Sequence, residues 1–376
     1  MDLDTFRKSL DDWLDEHADE LAPSFPGHGS VELQQEQIGK VRRLTYDAGF
    51  ARWGWPELVG GHGGSALLRA YLNEALAARD LVETGLYALS EVLGPSFITF
   101  ARPELSAAVV PRLLRGDEVW CQGFSEPGTG SNLAMLTCRA ERTGDGWRVS
   151  GQKVWTSLAQ LADRCVLLTR TGTLESAHRG ITALFVDMDS PGITVRPLET
   201  MHGEPEFCEV FYDDVAVPFD RTIGEEGQGW AFAMDLLPYE RSTALWQRAA
   251  LLHRRLQQLV EAAAPGALDP VALGEVVQQV HAFRARSRAT QHRLASGEDL
   301  GSATSVDKVA LATTEQALFD LAAAALPDEV LLADGPTAGR WRKEFLYSRA
   351  ATIYGGSAEI QRNIIARRLL ELGPDR

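Results

Sequence analysis

The sequence predicts an α+β fold in three consecutive domains: helical, then all-β, then helical again. Three observations carry that prediction. From Leu3 to about Arg115 apolar residues recur every three or four positions, from Glu118 they alternate, and after EEGQGW, Glu225 to Trp230, the helical spacing returns and holds to the C-terminus. The boundaries fall so as to give domains over residues 1–117, 118–226 and 227–376.

LDTFRKSLDDWLDEHADEL opens the chain as an amphipathic helix, and further helices are expected over Glu32–Ala48 and Ser65–Asp80. Between those two, WPELVGGHGG, Trp55 to Gly64, reads as a connecting loop because its glycines break the pattern. LSAAVVPRLLRG ends another helix at Gly116. In the middle third TCRAERTGDGWRVSGQKVW alternates, with turns at TGDG and Ser150-Gly151. RCVLLTRT, ITALFVDM, ITVRPL and CEVFYDDVAV continue as short β-branched and aromatic runs, so this unit is a sandwich or a barrel. GWAFAMDLLPYERSTALWQRAALLHRRLQQLVEAAA then reads as one long helix kinked at Pro238. Two more helices follow over Val271–Ser296 and Ala303–Ala325. PDEVLLADGPTAG, Pro327 to Gly339, is an irregular insert, and the last helical region is interrupted at Gly355-Gly356.

Composition narrows the function classes. Of 376 residues, 45% are hydrophobic and 24% charged, as in an ordinary globular protein. The net charge of -15, without any lysine- or arginine-rich block, argues against nucleic acid, whose phosphates need clustered cations. The acidic start has neither the basic nor the apolar region of a signal peptide, and no apolar run is long enough to cross a bilayer. Cys121, Cys138, Cys165 and Cys208 are widely spaced without a CxxC, which fits buried thiols in a reducing compartment better than disulfides or a metal site. A cytoplasmic protein with no membrane partner is expected.

The chemistry concentrates in WCQGFSEPGTGSN, Trp120 to Asn132, and in KVWTS, Lys153 to Ser157. Gly123, Gly128 and Gly130 permit close backbone approach, and Ser125, Thr129 and Ser131 add hydroxyls. By itself the stretch suits either a polar, phosphorylated ligand or a plain Gly-rich turn. Together with WPELVGGHGG, EVFYDDVAVP, EEGQGWAFAMDLL and the closing IYGGSAEIQRNIIARRLL, it resembles the acyl-CoA dehydrogenase family over nearly the whole chain.

That resemblance implies a C-terminal four-helix bundle and an FAD-dependent enzyme that oxidises the Cα–Cβ bond of an acyl-CoA thioester. It also implies an electron-transfer flavoprotein as acceptor. Residue by residue it assigns flavin contacts to Gln122, Phe124, Ser125, Gly130, Ser131, Trp155, Thr156, Ser157, Ser357 and Glu359. Ser131, Arg241 and Gly355 fall where the acyl-CoA passes. Trp155 and Ser157, two residues apart on a strand, share a face and can meet one ligand.

The position after the C-terminal Tyr354, where many members carry the catalytic carboxylate, is Gly355. A minority carry it on the helix that opens the C-terminal domain, before an arginine, and the matching pair here is Glu240-Arg241. Positions three and four away are Leu236, Leu237, Thr243 and Ala244, a mostly apolar face that would raise the pKa of Glu240 and suit a general base. By resemblance Glu240 takes the α-proton while the β-hydride passes to flavin N5 and the Gly355 N–H stabilises the enolate oxygen. Two features depart from the family. Asn132 replaces an Asp, and the segments that reach a neighbouring subunit's FAD are not recognisable, neither the arginine-containing one between Val260 and Arg286 nor the adenine loop, where ADGPTAG stands. A homo- or hetero-oligomer with a second chain of the family follows, the partner supplying those contacts. Two other readings stand beside this one: a non-catalytic structural subunit, and a related flavoprotein acting on a carrier-protein thioester or a nitroalkane.

Overall fold

The computed structural model describes residues 1–333 and 335–373. Asp334, within the insert expected to be irregular, and the last three residues of the third domain lie outside them. Seven helices come first: α1 (Leu3–Glu16), α2 (Ala18–Leu21), α3 (Val31–Asp47), α4 (Ala66–Ala78), α5 (Thr84–Tyr87), α6 (Leu89–Phe100) and α7 (Pro103–Arg115). Their ends follow local chemistry. The Asp2 carboxylate accepts from Thr5 N at 2.9 Å to cap α1, and Gly116, at φ 81°, terminates α7 in the left-handed conformation open to glycine.

The strands are β1 (Trp120–Gly123), β2 (Arg139–Arg142), β3 (Gly146–Ser157), β4 (Arg164–Arg170), β5 (Ile181–Asp187), β6 (Ile193–Leu198), β7 (Phe207–Pro218) and β8 (Thr222–Ile223). They form one continuous sheet in the order β6-β7-β3-β2-β4-β5-β8, with β1 added in parallel beside β4. The long antiparallel pair β3–β7 is its spine and carries register shifts between Val149 and Gly151 and between Lys153 and Thr156. All four cysteines are free and buried.

Helices return as α8 (Gly229–Glu240), α9 (Thr243–Ala262), α10 (Pro270–Ala295), α11 (Thr304–Ala325), α12 (Pro336–Ser348) and α13 (Ala358–Ile364). Helices α9 to α12 share a core that includes Leu252, Phe283, Phe319 and Trp341, the expected four-helix bundle. Among the described residues no helix is long and apolar enough to cross a membrane.

One expectation is corrected. The single helix kinked at Pro238 is two helices, broken after Glu240. Pro238 sits inside α8, Arg241 closes it, and Ser242 leaves helical geometry at φ -136°, ψ -67°. A helix end leaves carbonyls to be satisfied. Here Arg241 N bonds Leu237 O at 3.1 Å and Ser242 Oγ donates to Pro238 O at 2.6 Å, so the chain can turn instead of continuing.

One hydrophobic core ties the three domains together. Trp55, Phe97 and Val110 from the first domain pack with Trp120, Val166 and Phe185 of the sheet and with Phe232 and Leu236 of α8. Each such side chain contributes roughly 1.5–3 kcal/mol by leaving water. Helix α8 is thereby clamped between α6 and β5, which sets where its last turn points.

Candidate active site

A cavity of about 1030 Å³ lies between the sheet, α8 and the C-terminal turn. Of the residues singled out in the sequence, Gln122, Phe124, Ser125, Gly130, Ser131, Glu240, Arg241 and Gly355 line it. Trp155, Thr156, Ser157, Ser357 and Glu359 do not contribute to its wall.

Glu240 occupies the last position of α8, half-buried, with its remaining surface on the cavity. A methyl group built on Gly355 would lie 3.0 Å from Glu240 Oε1, tighter than ordinary contact. The carboxylate therefore fills the space that a side chain at position 355 would take. Gly355 also has φ 62°, and Gly356 has φ 91° with a built methyl running into Gln361 Nε2, so a side chain would be strained at either position in this chain. The Gly355 carbonyl accepts from Arg241 Nε at 3.2 Å and from Gln361 Nε2 at 3.3 Å, which fixes the peptide joining Gly355 to Gly356. The Gly355 N–H, in the preceding peptide, has no hydrogen-bond partner among the described residues.

Burial raises the pKa of Glu240; the nearby charges of Arg241 and Lys308 act against that without cancelling it. Lys308, on α11, is itself pushed down to about 8 by burial. Its methylene end lies 3.1 Å from the built methyl at Gly355, its ammonium 4.1 Å from the centre of the Tyr354 ring, and it donates to Ala351 O.

The loop after β1 is held by a buried ion pair. Lys153, fully buried on β3, donates to Glu126 Oε1 at 2.8 Å and to Phe124 O at 3.1 Å. Glu126 also accepts from Thr137 N and Oγ1 and from Cys138 N at 2.7–2.8 Å. Burial opposes its ionisation, but Lys153 and those amides outweigh it, and its pKa lies below the usual carboxylate range. A bond of 2.9 Å from Val154 N to Ser125 O joins loop and strand. Lys153 and Glu126 lie inside the two motifs, but nothing local in the sequence assigns either a part. Two opposite charges within the two motifs were the available signal.

Next to this loop the protein presents a surface that can hold a flat polar heterocycle. Trp155 is 63% exposed, in the left-handed region at φ 61°. Thr129 Oγ1 and Thr156 Oγ1 are buried without partners, and methyl groups built on Gly128 or Gly130 meet nothing within 4 Å. Exposure falls at Thr156 and rises again at Ser157, which keeps Trp155 and Ser157 on the side opposite Thr156. Ser357 caps α13 through Ile360 N at 3.4 Å.

A half-buried carboxylate and an unpartnered backbone N–H thus stand side by side at one cavity, with an exposed indole on the neighbouring strand. Domain models of acyl-CoA dehydrogenases match in order: the N-terminal domain over residues 2–117, the middle domain over 121–215 and the C-terminal domain over 227–370. The chain belongs to the acyl-CoA dehydrogenase family, a family of flavoproteins. It is 36% identical over 382 residues to acyl-CoA dehydrogenase IpdE1 of Mycobacterium tuberculosis, covering 99% of this chain and 98% of that one. Among solved structures it is similar to a Tcur3481-Tcur3483 steroid ACAD (TM-score 0.84, 25% identity, 100% and 98% covered). It is also similar to the ChsE4-ChsE5 complex from Mycobacterium tuberculosis (TM-score 0.79, 27% identity, 99% and 98% covered).

Proposed function

We propose that this protein is an FAD-dependent acyl-CoA dehydrogenase in which Glu240 removes the α-proton of a thioester with a bulky, ring-bearing acyl group. The observation that carries the reading is Glu240 Oε1 standing where a side chain at position 355 would stand. A carboxylate delivered from α8 thus reaches the spot from which a base on the C-terminal turn would act. An α-proton of a thioester is too weakly acidic for a carboxylate in water, so the enolate oxygen needs a preorganised donor. The Gly355 N–H, which has no partner of its own and lies in the peptide next to the one that Arg241 and Gln361 hold, is the donor available for that task. Burial keeps Glu240 basic enough to take the proton near neutral pH.

FAD, held by the loop Gln122–Ser131 and the Trp155–Ser157 strand end, would supply the acceptor for the electron pair leaving the β-carbon. The exposed indole and the two buried unpaired threonine hydroxyls fit that group. An electron-transfer flavoprotein is the expected oxidant of the reduced enzyme. Support for a bulky acyl group comes from the cavity volume and from the steroid enzyme named among the similar structures. Two of the similar structures bear paired names, Tcur3481-Tcur3483 and ChsE4-ChsE5, which together with the missing trans-FAD segments supports a heteromeric assembly.

The test is Glu240→Gln, close in size and unable to act as base. Turnover of an accepted acyl-CoA should fall by roughly two to four powers of ten while flavin content is kept. Unchanged turnover would remove Glu240 from the chemistry and, where a partner chain is present, favour the reading of this chain as a non-catalytic subunit.

A further inference from the structure

Beside Glu240 lies a buried cation that proton transfer does not touch. Lys308, on α11, is buried and does not line the cavity. Its methylene end and the Glu240 carboxylate approach the same point, at 3.1 and 3.0 Å from the methyl built on Gly355. Even so, among the described residues the ammonium makes no ion pair with Glu240 or with any other carboxylate. It donates to the backbone carbonyl of Ala351 and stands 4.1 Å from the centre of the Tyr354 ring.

The position of Ala351 gives that bond its meaning. Helix α12 runs on into a short 3-10 turn, Arg349–Thr352. Ile353 N and Tyr354 N both return to Ala350 O, at 2.8 and 3.1 Å, and Gly355 follows at φ 62°. A helical segment that ends on a left-handed residue commonly closes by turning that residue's N–H, or the next one, back onto a single carbonyl of the last turn. Counted back from Gly355 and Gly356, that carbonyl is Ala351 O. Here it accepts from Lys308, and the Gly355 N–H is left without a partner. A charged donor makes roughly twice the bond of a neutral amide, so the ammonium wins the acceptor.

We propose that Lys308 is a positioning residue for the thioester carbonyl: by taking Ala351 O it keeps the Gly355 N–H free to donate to the oxygen that gains charge as the α-proton leaves. The inference rests on the reading of that N–H as the enolate donor. The N–H lies between two held points, the Tyr354 ring against the ammonium and the Gly355 carbonyl bonded to Arg241 and Gln361. Without the ammonium, Ala351 O is a buried acceptor lacking its donor, and the Gly355 N–H turns inward to satisfy it. The donor is then consumed within the turn, where it does nothing for the substrate.

The test reads the substrate carbonyl directly. The probe is cyclohexenecarbonyl-CoA with its double bond conjugated to an isotope-labelled thioester carbonyl; already unsaturated at Cα–Cβ, it persists in the oxidised enzyme. In the FAD-loaded enzyme, with any partner chain it needs, infrared difference spectra should place the C=O stretch of bound probe below that of free probe. In Lys308→Met, which keeps an apolar stem, most of that displacement should vanish while flavin content is kept. Affinity for the probe should fall only about three- to tenfold, the loss of one neutral hydrogen bond. For an accepted acyl-CoA, kcat on its pH plateau should fall by roughly two powers of ten, as for a reacting group moved by about 1 Å. Should the methionine variant not hold FAD, Lys308→Leu is expected to give the same readings. A band as low in the variant as in the parent would make Lys308 a packing residue and overturn the inference. So would a parent band that coincides with free probe, since it would remove the Gly355 donor itself. The band is read without proton transfer, so failure here is distinct from failure of the base, which Glu240→Gln reports.

Discussion

Glu240 stands between burial, which favours its protonated form, and the charges of Arg241 and Lys308, which favour the ionised one. In the proposed role only its ionised form takes the α-proton, so activity would rise with pH through its pKa. Replacing Lys308 with Met leaves burial and Arg241 in place and removes one opposing charge, which moves that pKa up. The acid limb of the kcat/KM profile should therefore shift to higher pH. An unmoved limb would mean that Lys308 serves only to hold Tyr354 and Ala351. At this scale the sequence was legible where the chain announced itself, in Gly355 after Tyr354 and in a Glu preceded by Leu236 and Leu237; Thr243 and Ala244 lie beyond the break that ends α8. Lys308 was not legible, because it sits in an ordinary helical pattern and only tertiary packing brings it beside Gly355.

Among the elements, the loop Gln122–Ser131 owes its shape to strand β3. Lys153 is fully buried, and its partner Glu126 also ties the loop to Thr137 and Cys138. Removing one member of a buried pair leaves the other uncompensated, at a cost of about 3–5 kcal/mol. Lys153→Met should lower the melting temperature and speed amide exchange in the loop, while Lys153→Met combined with Glu126→Gln should recover part of the loss. Equal stability of the single variant and the parent would exclude this role. Both motifs stood out in the sequence, but their mutual grip did not, since pairing across the register shift at Lys153–Thr156 follows no local rule. The break after Glu240 was missed for a related reason. A proline announces disruption of a helix, but whether the chain kinks or turns depended on Ser242 closing onto Pro238 O.

Across the whole molecule, the three-part order was readable from hydrophobic period alone, whereas the sheet's connectivity was not. Strand β1 pairs with β4 and β8 with β5, contacts between segments far apart in sequence. The domains are further joined by ion pairs such as Glu74 with Arg284 and Asp80 with Arg255, so the cavity sits in a connected frame. The C-terminal domain also exposes Leu331, Leu332, Ile353, Leu370 and Leu372. Expressed alone, the chain should bind FAD weakly; co-purified with a family member that retains the arginine-containing segment and the adenine loop, it should form a stable, yellow complex. A homotetramer of this chain with one tightly held FAD per subunit would contradict the heteromeric reading.

Trp155 has one more consequence. It is the single exposed tryptophan among the described residues; the remaining indoles are buried or half-covered. Its emission should therefore lie at the red edge of the protein's fluorescence and be the part most sensitive to whatever settles on that strand. The molecule thus carries an intrinsic optical gauge of occupancy at the place where a dye-like ring is expected to rest.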